Sequence, residues 1–184
     1  MDEAMQRRKV LIVDGYNVIR NNERYASTQK DYASGEGWND ARDALVNDAA
    51  YLAQDRYERC TVVFDAAGNA ASSGKPVRKA GIDVVFSPHG VSADSVIERL
   101  AHEAREEGFE VVVVSSDFAI QSTVYGGGVT RMSAAGFAID SSRSEQDWRN
   151  EAKQPSHVKN TVAERIDPEV AKKLERFVRG QQSL

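Results

Sequence analysis

The 184-residue sequence holds a single cysteine, Cys60, in the apolar run CTVVF, which excludes an internal disulfide and a cysteine-based zinc knuckle. Its net charge of -4 gives no global basic signature, so any nucleic-acid contact has to come from a local patch. Long apolar runs are missing too: VVVV at residues 111–114 is far too short to span a bilayer, and residues 1–9 lack the apolar centre of a signal peptide. These absences set the expectation of a soluble, cytoplasmic protein that contacts no membrane. No G-x-G-x-x-G follows the first apolar run and no G-x-x-x-x-G-K-[ST] occurs, which removes the main support for dinucleotide and P-loop nucleotide binding. There is no G-x-S-x-G elbow for a serine nucleophile. Tyr16 stands where an aspartyl-phosphate enzyme would need a second Asp after Asp14, and His89, His102 and His157 are scattered rather than clustered.

What is present is a hydrophobic content of 41%, enough for one sizeable core, arranged in two alternating periods. Runs rich in β-branched residues at Val10–Val13, Thr61–Phe64, Asp83–Phe86 and Glu110–Ser115 predict strands, with a weaker fifth near Phe137–Ile139. Residues Asp40–Tyr57 carry Ala41, Leu45, Ala49 and Leu52 at helical spacing, and Ala93–Glu107 carries Val96, Ile97, Leu100, Ala101 and Ala104. A short helix is expected at Phe118–Val124. Strands alternating with amphipathic helices predict a mostly parallel α/β sheet with helices on its faces.

Residues 20–39 read as a long polar loop, and residues 66–81, AAGNAASSGKPVRKAG, as a mobile arm or lid. Beyond Ser141 the composition turns polar and basic, with Val162, Ile166, Val170, Leu174 and Phe177 marking an amphipathic C-terminal helix that the Asp167-Pro168 step interrupts or restarts. The expected organisation is therefore a flexible terminus at 1–8, a catalytic-type domain at 9–140, and a polar linker with a helical tail at 141–184.

In a parallel sheet, ligands bind where the strands end. Asp14 follows KVLIV, Asp65 follows TVVF, Asp117 follows VVVVSS, and Asp94 opens the helix after DVVFSPHGVSA. Four acids thus reach one sheet edge from four chain segments, where their mutual repulsion calls for a compensating positive charge. A hard divalent cation, Mg²⁺ or Mn²⁺, suits such carboxylate oxygens, activates water and stabilises charge on a phosphate. Asn17 is placed to orient a ligand or a phosphate oxygen, and Glu98, one turn beyond Asp94, to act through water. Each acid also has a purely structural reading, as a turn former at Asp14 and Asp65, a helix cap at Asp117, or a helix-dipole partner at Asp94. One acidic site is the more economical account of all four.

The basic arm Lys75, Arg78 and Lys79, together with Arg131, is a candidate for holding an RNA backbone, with Tyr16, Trp38 or Tyr125 available to stack on bases; a solvated surface is the alternative. Arg42 is expected to pair with acids near the sheet end. Gly126–Gly128 reads as a loop that would let a backbone approach a phosphate.

The ordered series LIVDGYN, ARDALV, VVFDA, VSADSVIE and VVVVSSD, from about Lys9 to Phe137, resembles the YacP-like NYN domain, a bacterial branch of the PIN-like nuclease fold. The resemblance implies a Rossmann-like three-layer α/β/α PIN-like scaffold and a metal-dependent endoribonuclease. Position by position, it puts Asp14, Asn17, Asp65, Asp94 and Asp117 in the family's acidic pocket. Asp14, Asp94 and Asp117 would hold Mg²⁺ or Mn²⁺, with Asp65 assisting and Asn17 orienting. It further implies single-stranded RNA as substrate, with mRNA and a ribosome-linked context expected. Two rivals stay open: a non-catalytic RNA- or ribosome-binding module, and a small-molecule phosphohydrolase with a closed pocket.

Overall fold

The structure, a computed structural model, describes residues 8–25, 36–54, 56–66, 68–116 and 129–153. Asp117, Tyr125, Gly126–Gly128, His157, the expected helix at 118–124 and the expected C-terminal helix lie outside them. The chain divides into two compact units, Met1–Arg149 and Asn150–Leu184, and the described elements belong almost wholly to the first.

The chain opens with strand β1 (Lys9–Asp14), a short helix α1 (Gly15–Arg20) and a longer helix α2 (Glu36–Ala53). Strand β2 (Arg59–Phe64) leads to a hairpin of β3 (Val77–Lys79) and β4 (Ile82–Phe86). Helix α3 (Ala93–Glu106), strands β5 (Glu110–Val114) and β6 (Val129–Met132) and helix α4 (Ala134–Lys153) follow. Among the described residues, six strands form one sheet in the order β3-β4-β2-β1-β5-β6, parallel except for β3. The architecture is the expected α/β fold.

The layers follow from the alternation of side chains along each strand. Leu11 and Val13 of β1 join Cys60, Val62 and Phe64 of β2 and Val112 and Val114 of β5 in one core, against Leu45, Ala49 and Leu52 of α2 and Phe137 of α4. The intervening residues Val10, Ile12, Val63, Val111 and Val113 face the other way, onto Val96, Ile97, Ala101 and Ala104 of α3. Both faces of the central strands are therefore dry. Each fully buried aliphatic side chain contributes about 1.5–3 kcal/mol of transfer free energy.

Four expectations are corrected. The segment read as a mobile arm contains β3, which pairs antiparallel with β4 through a two-residue turn, Ala80-Gly81. Both turn residues have positive φ, 49° and 82°, the handedness that tight hairpins require. The loop before β3 is stitched down as well, since the Ser72 hydroxyl donates to the carbonyls of Phe86 and Ser87 at 3.3 and 2.7 Å. The weak strand expected at Phe137–Ile139 is helical: Ala134, Phe137 and Ser141 are buried at helical spacing while Ile139 is 54% exposed. The sixth strand lies earlier, at β6. Helix α4 runs on past residue 141, where the polar linker was expected to begin. Helix α2 likewise starts at Glu36, inside the segment read as loop.

Candidate active site

Strand β1 is the switch point of the sheet. The chain leaves it to build β2 and β4 on one side, then crosses under α3 to lay β5 on the other. Crevices at the carboxyl ends of such strands are where α/β sheets bind ligands. Asp14 is the last residue of β1 and sits at that crevice, 7% exposed.

The Asp14 carboxylate is held through both of its oxygens. As N-cap of α1, its Oδ1 accepts the Asn17 N–H at 3.2 Å. Its Oδ2 accepts the Ser115 hydroxyl at 3.3 Å, reaching across to the end of β5. Asn17 makes the parallel link, its Oδ1 accepting the Ser116 N–H at 2.7 Å. The chain leading to residue 117 is thus tied to the end of β1 and to α1, although Asp117 itself lies outside the described residues.

Asp65 and Asp94 meet at the start of α3. Ser92 caps this helix by accepting the Ser95 N–H at 3.2 Å, and Asp94 occupies its first turn, half-buried. Asp65, exposed just after β2, reaches the Ala93 N–H with its Oδ2 at 3.5 Å. Because Asp14 is in register with Val63, two residues before Asp65, the three acids belong to adjacent elements at the same edge. Glu98 lies one turn further along α3, half-buried.

The basic residues divide. Arg131 reaches the edge, its Nε donating to the Ser115 carbonyl at 3.2 Å. Arg78 is paired with Asp83 at 3.1 Å and Lys79 with Asp43, on the hairpin at the margin of the sheet, and Lys75 is exposed on the loop before it. Arg42 is not held by the edge acids as expected: it donates to the Trp38 carbonyl and to Asn39, lies 3.4 Å from the Tyr16 hydroxyl, and covers the Phe86 ring. His89 and His102 are both exposed.

Among the described residues no three Asp, Glu, His or Cys side chains converge closely enough to grip a metal directly. An all-oxygen set of one or two carboxylates nevertheless suits Mg²⁺, which keeps several waters and takes up substrate phosphate rather than a protein cage. The donor chemistry therefore fits a hard cation and excludes a soft one.

Residues 11–179 match the sequence signature of the YacP-like NYN domain. The chain belongs to the YacP-like NYN domain family. YacP of Bacillus subtilis (strain 168) is 27% identical over 171 residues, which cover 93% of this chain and 97% of that protein. The crystal structure of Rae1 (YacP) from Bacillus subtilis matches with a TM-score of 0.62 and 26% identity, covering 94% of this chain and 95% of that one. A mutant of the same protein matches with a TM-score of 0.64, 23% identity and coverage of 91% and 98%. This NYN domain is of nuclease type, and its substrate class is nucleic acid. No helix among its described residues is long and apolar enough to cross a membrane.

Residues that the sequence did not single out complete the edge. Ser115 and Ser116 carry the links to Asp14 and Asn17, and their signal was a pair of small polar residues directly after four valines. Arg20 is another: it stands four residues after Tyr16 on α1, the spacing that brings its guanidinium over that ring at 5.8 Å.

Proposed function

We propose that this NYN domain is a metal-dependent endoribonuclease that cleaves single-stranded RNA, with mRNA in a translation-linked setting as its substrate. The observation that carries the reading is the arrival of Asp14, Asp65 and Asp94 from three chain segments at the carboxyl edge beside the switch strand. Asp14 and Asp94, with Asp117, would hold the cation, Mg²⁺ or Mn²⁺. When bound, such an ion supplies Lewis acidity at the scissile phosphate and lowers the pKa of a water. Asp65, beside the α3 terminus, would accept a proton or steer a water. Asn17 fixes the segment that leads to Asp117 and leaves its amide nitrogen available to a phosphate oxygen. Arg131, anchored on the Ser115 carbonyl, supplies positive charge on the β6 side of the edge.

Wild-type protein and Asp94→Asn, incubated with labelled single-stranded RNA in Mn²⁺, in Mg²⁺ and in chelator, test the reading. Cleavage by the wild type is expected with metal only, and none by the variant. Equal cleavage by both proteins overturns the assignment of the site. RNA bound by both and cut by neither, with ribosomes present, replaces the nuclease by a non-catalytic binding module.

A further inference from the structure

An acidic edge repels the phosphates it is meant to process, so the substrate has to be held from beside it. The two basic residues of the hairpin are committed to Asp83 and Asp43. A different surface next to the acids has the required chemistry. Tyr16, two residues from Asp14, meets Trp38 edge-to-face at 5.1 Å and leans on Phe64, the residue before Asp65, also at 5.1 Å. Arg20 is exposed, has no carboxylate partner among the described residues, and lies 5.8 Å from the Tyr16 ring centre and 5.9 Å from that of Trp38. On the neighbouring strand end Arg42 covers the partly exposed Phe86 at 5.4 Å.

Tyr16, Trp38 and Phe86 pack one side on the core and keep the rest partly exposed, and a core needs neither that exposure nor an unneutralised arginine. Single-stranded nucleic acid uses both, because every base has a π-face to stack on an aromatic ring and every nucleotide carries one phosphate for a cation. We propose that Tyr16, Trp38 and Arg20 form a base-stacking subsite that seats one unstacked nucleotide of single-stranded RNA immediately beside the acidic edge, with Arg42 and Phe86 flanking it. The proposal rests on the RNA reading above and adds where the strand is gripped. Because stacking is blind to base identity, this subsite selects for single strands over duplex and not for sequence.

The test is binding without catalysis. A short single-stranded oligoribonucleotide carrying one 2-aminopurine, moved through successive positions, is titrated with the full chain in chelator. Fluorescence quenching is expected at one position. Trp38→Leu should abolish that quenching and weaken binding by about five- to a hundredfold, the worth of one stacked base. Should Trp38→Leu not fold, Arg20→Gln on the exposed face of α1 carries the same test: the slope of log K against log salt should fall by about 0.7, one phosphate contact on a single strand. Quenching at no position, or binding and salt slope unchanged in both variants, overturns the subsite even if RNA is cleaved normally. Quenching that depends on Trp38, in a protein that cuts nothing with Mn²⁺, upholds the subsite while the nuclease reading falls.

Discussion

Asp48 is 4% exposed, in the middle of α2, and its carboxylate serves three donors. Arg24 binds it through Nε at 2.7 Å and Nη2 at 2.9 Å, and the wholly buried Tyr25 hydroxyl donates to it at 2.8 Å. Arg24 continues to Glu145 of α4 at 3.2 Å, so the network ties the segment after α1 to two other helices. Asp48→Ala would leave the Tyr25 hydroxyl buried without its acceptor, at about 1–3 kcal/mol. Losing one side of a buried ion pair costs about 3–5 kcal/mol in full. Arg24, however, is 39% exposed and keeps Glu145, so most of that term is screened. The sum is about 2–4 kcal/mol, which in a chain of this length lowers the melting temperature by roughly 10 °C. Asp48→Asn keeps an oxygen for Tyr25 and should cost about 1 kcal/mol. Adding Tyr25→Phe to Asp48→Ala removes the orphaned hydroxyl and should recover part of the loss. Urea and thermal melts of the single and double variants measure this. The reasoning is refuted if Asp48→Ala melts with the wild type, or if Tyr25→Phe adds its whole single-variant cost on top. Burial, then Asp48, pushes the Tyr25 phenol well above its ordinary value near 10. A raised folded-state pKa means that this contribution is intact below about pH 10, where the unfolded phenol begins to ionise, and declines as pH rises further.

Cys60 is buried, and desolvation pushes its thiol up to about 12, so at pH 8 it should resist alkylation until the protein opens; a labelling rate equal to that of free cysteine would contradict the packing around it. Gly15→Ala sets helix propensity, about 1 kcal/mol in favour of alanine, against a β-carbon 2.3 Å from the Phe64 ring. That ring is wedged between Tyr16 and Phe86, so the clash wins and a net loss of about 1–3 kcal/mol is expected in urea melts, eased in a Phe64→Leu background. Asn17→Ala should cost about 1 kcal/mol and speed hydrogen exchange of the Ser116 amide, and unchanged exchange would show that the link from α1 to Ser116 does not hold the chain before Asp117.

The elements legible in the sequence were those with enough residues to express a period. Strands β1, β2, β4 and β5 are apolar on both faces, and helices α2 and α3 repeat their apolar positions over several turns. Strand β3 has three residues, two of them charged, and β6 has one buried face at most, so neither writes a pattern. Phe137-Ala138-Ile139 imitates a strand because three residues cannot distinguish a period of 2 from one of 3.6; only Ala134 and Ser141 reveal the helical face. The same limit holds at the site. Asp14, Asp65 and Asp94 were visible because strand ends and helix starts are local features. That Arg78 and Lys79 face Asp83 and Asp43, and that Arg20 lies near the Trp38 ring as well as that of Tyr16, depends on residues brought together by the fold.

The hairpin strand β3 has a consequence for how the protein behaves in company. An outermost strand offers unpaired N–H and C=O groups to any other chain that can lie alongside it, which is the usual start of edge-to-edge aggregation. At this edge the strand is three residues long, fully exposed, and carries Arg78 and Lys79, each in an ion pair. A second chain would find too short a template and would have to displace charged side chains to use it. The basic pair that looked like a hand for RNA thus closes this edge of the sheet against its own kind.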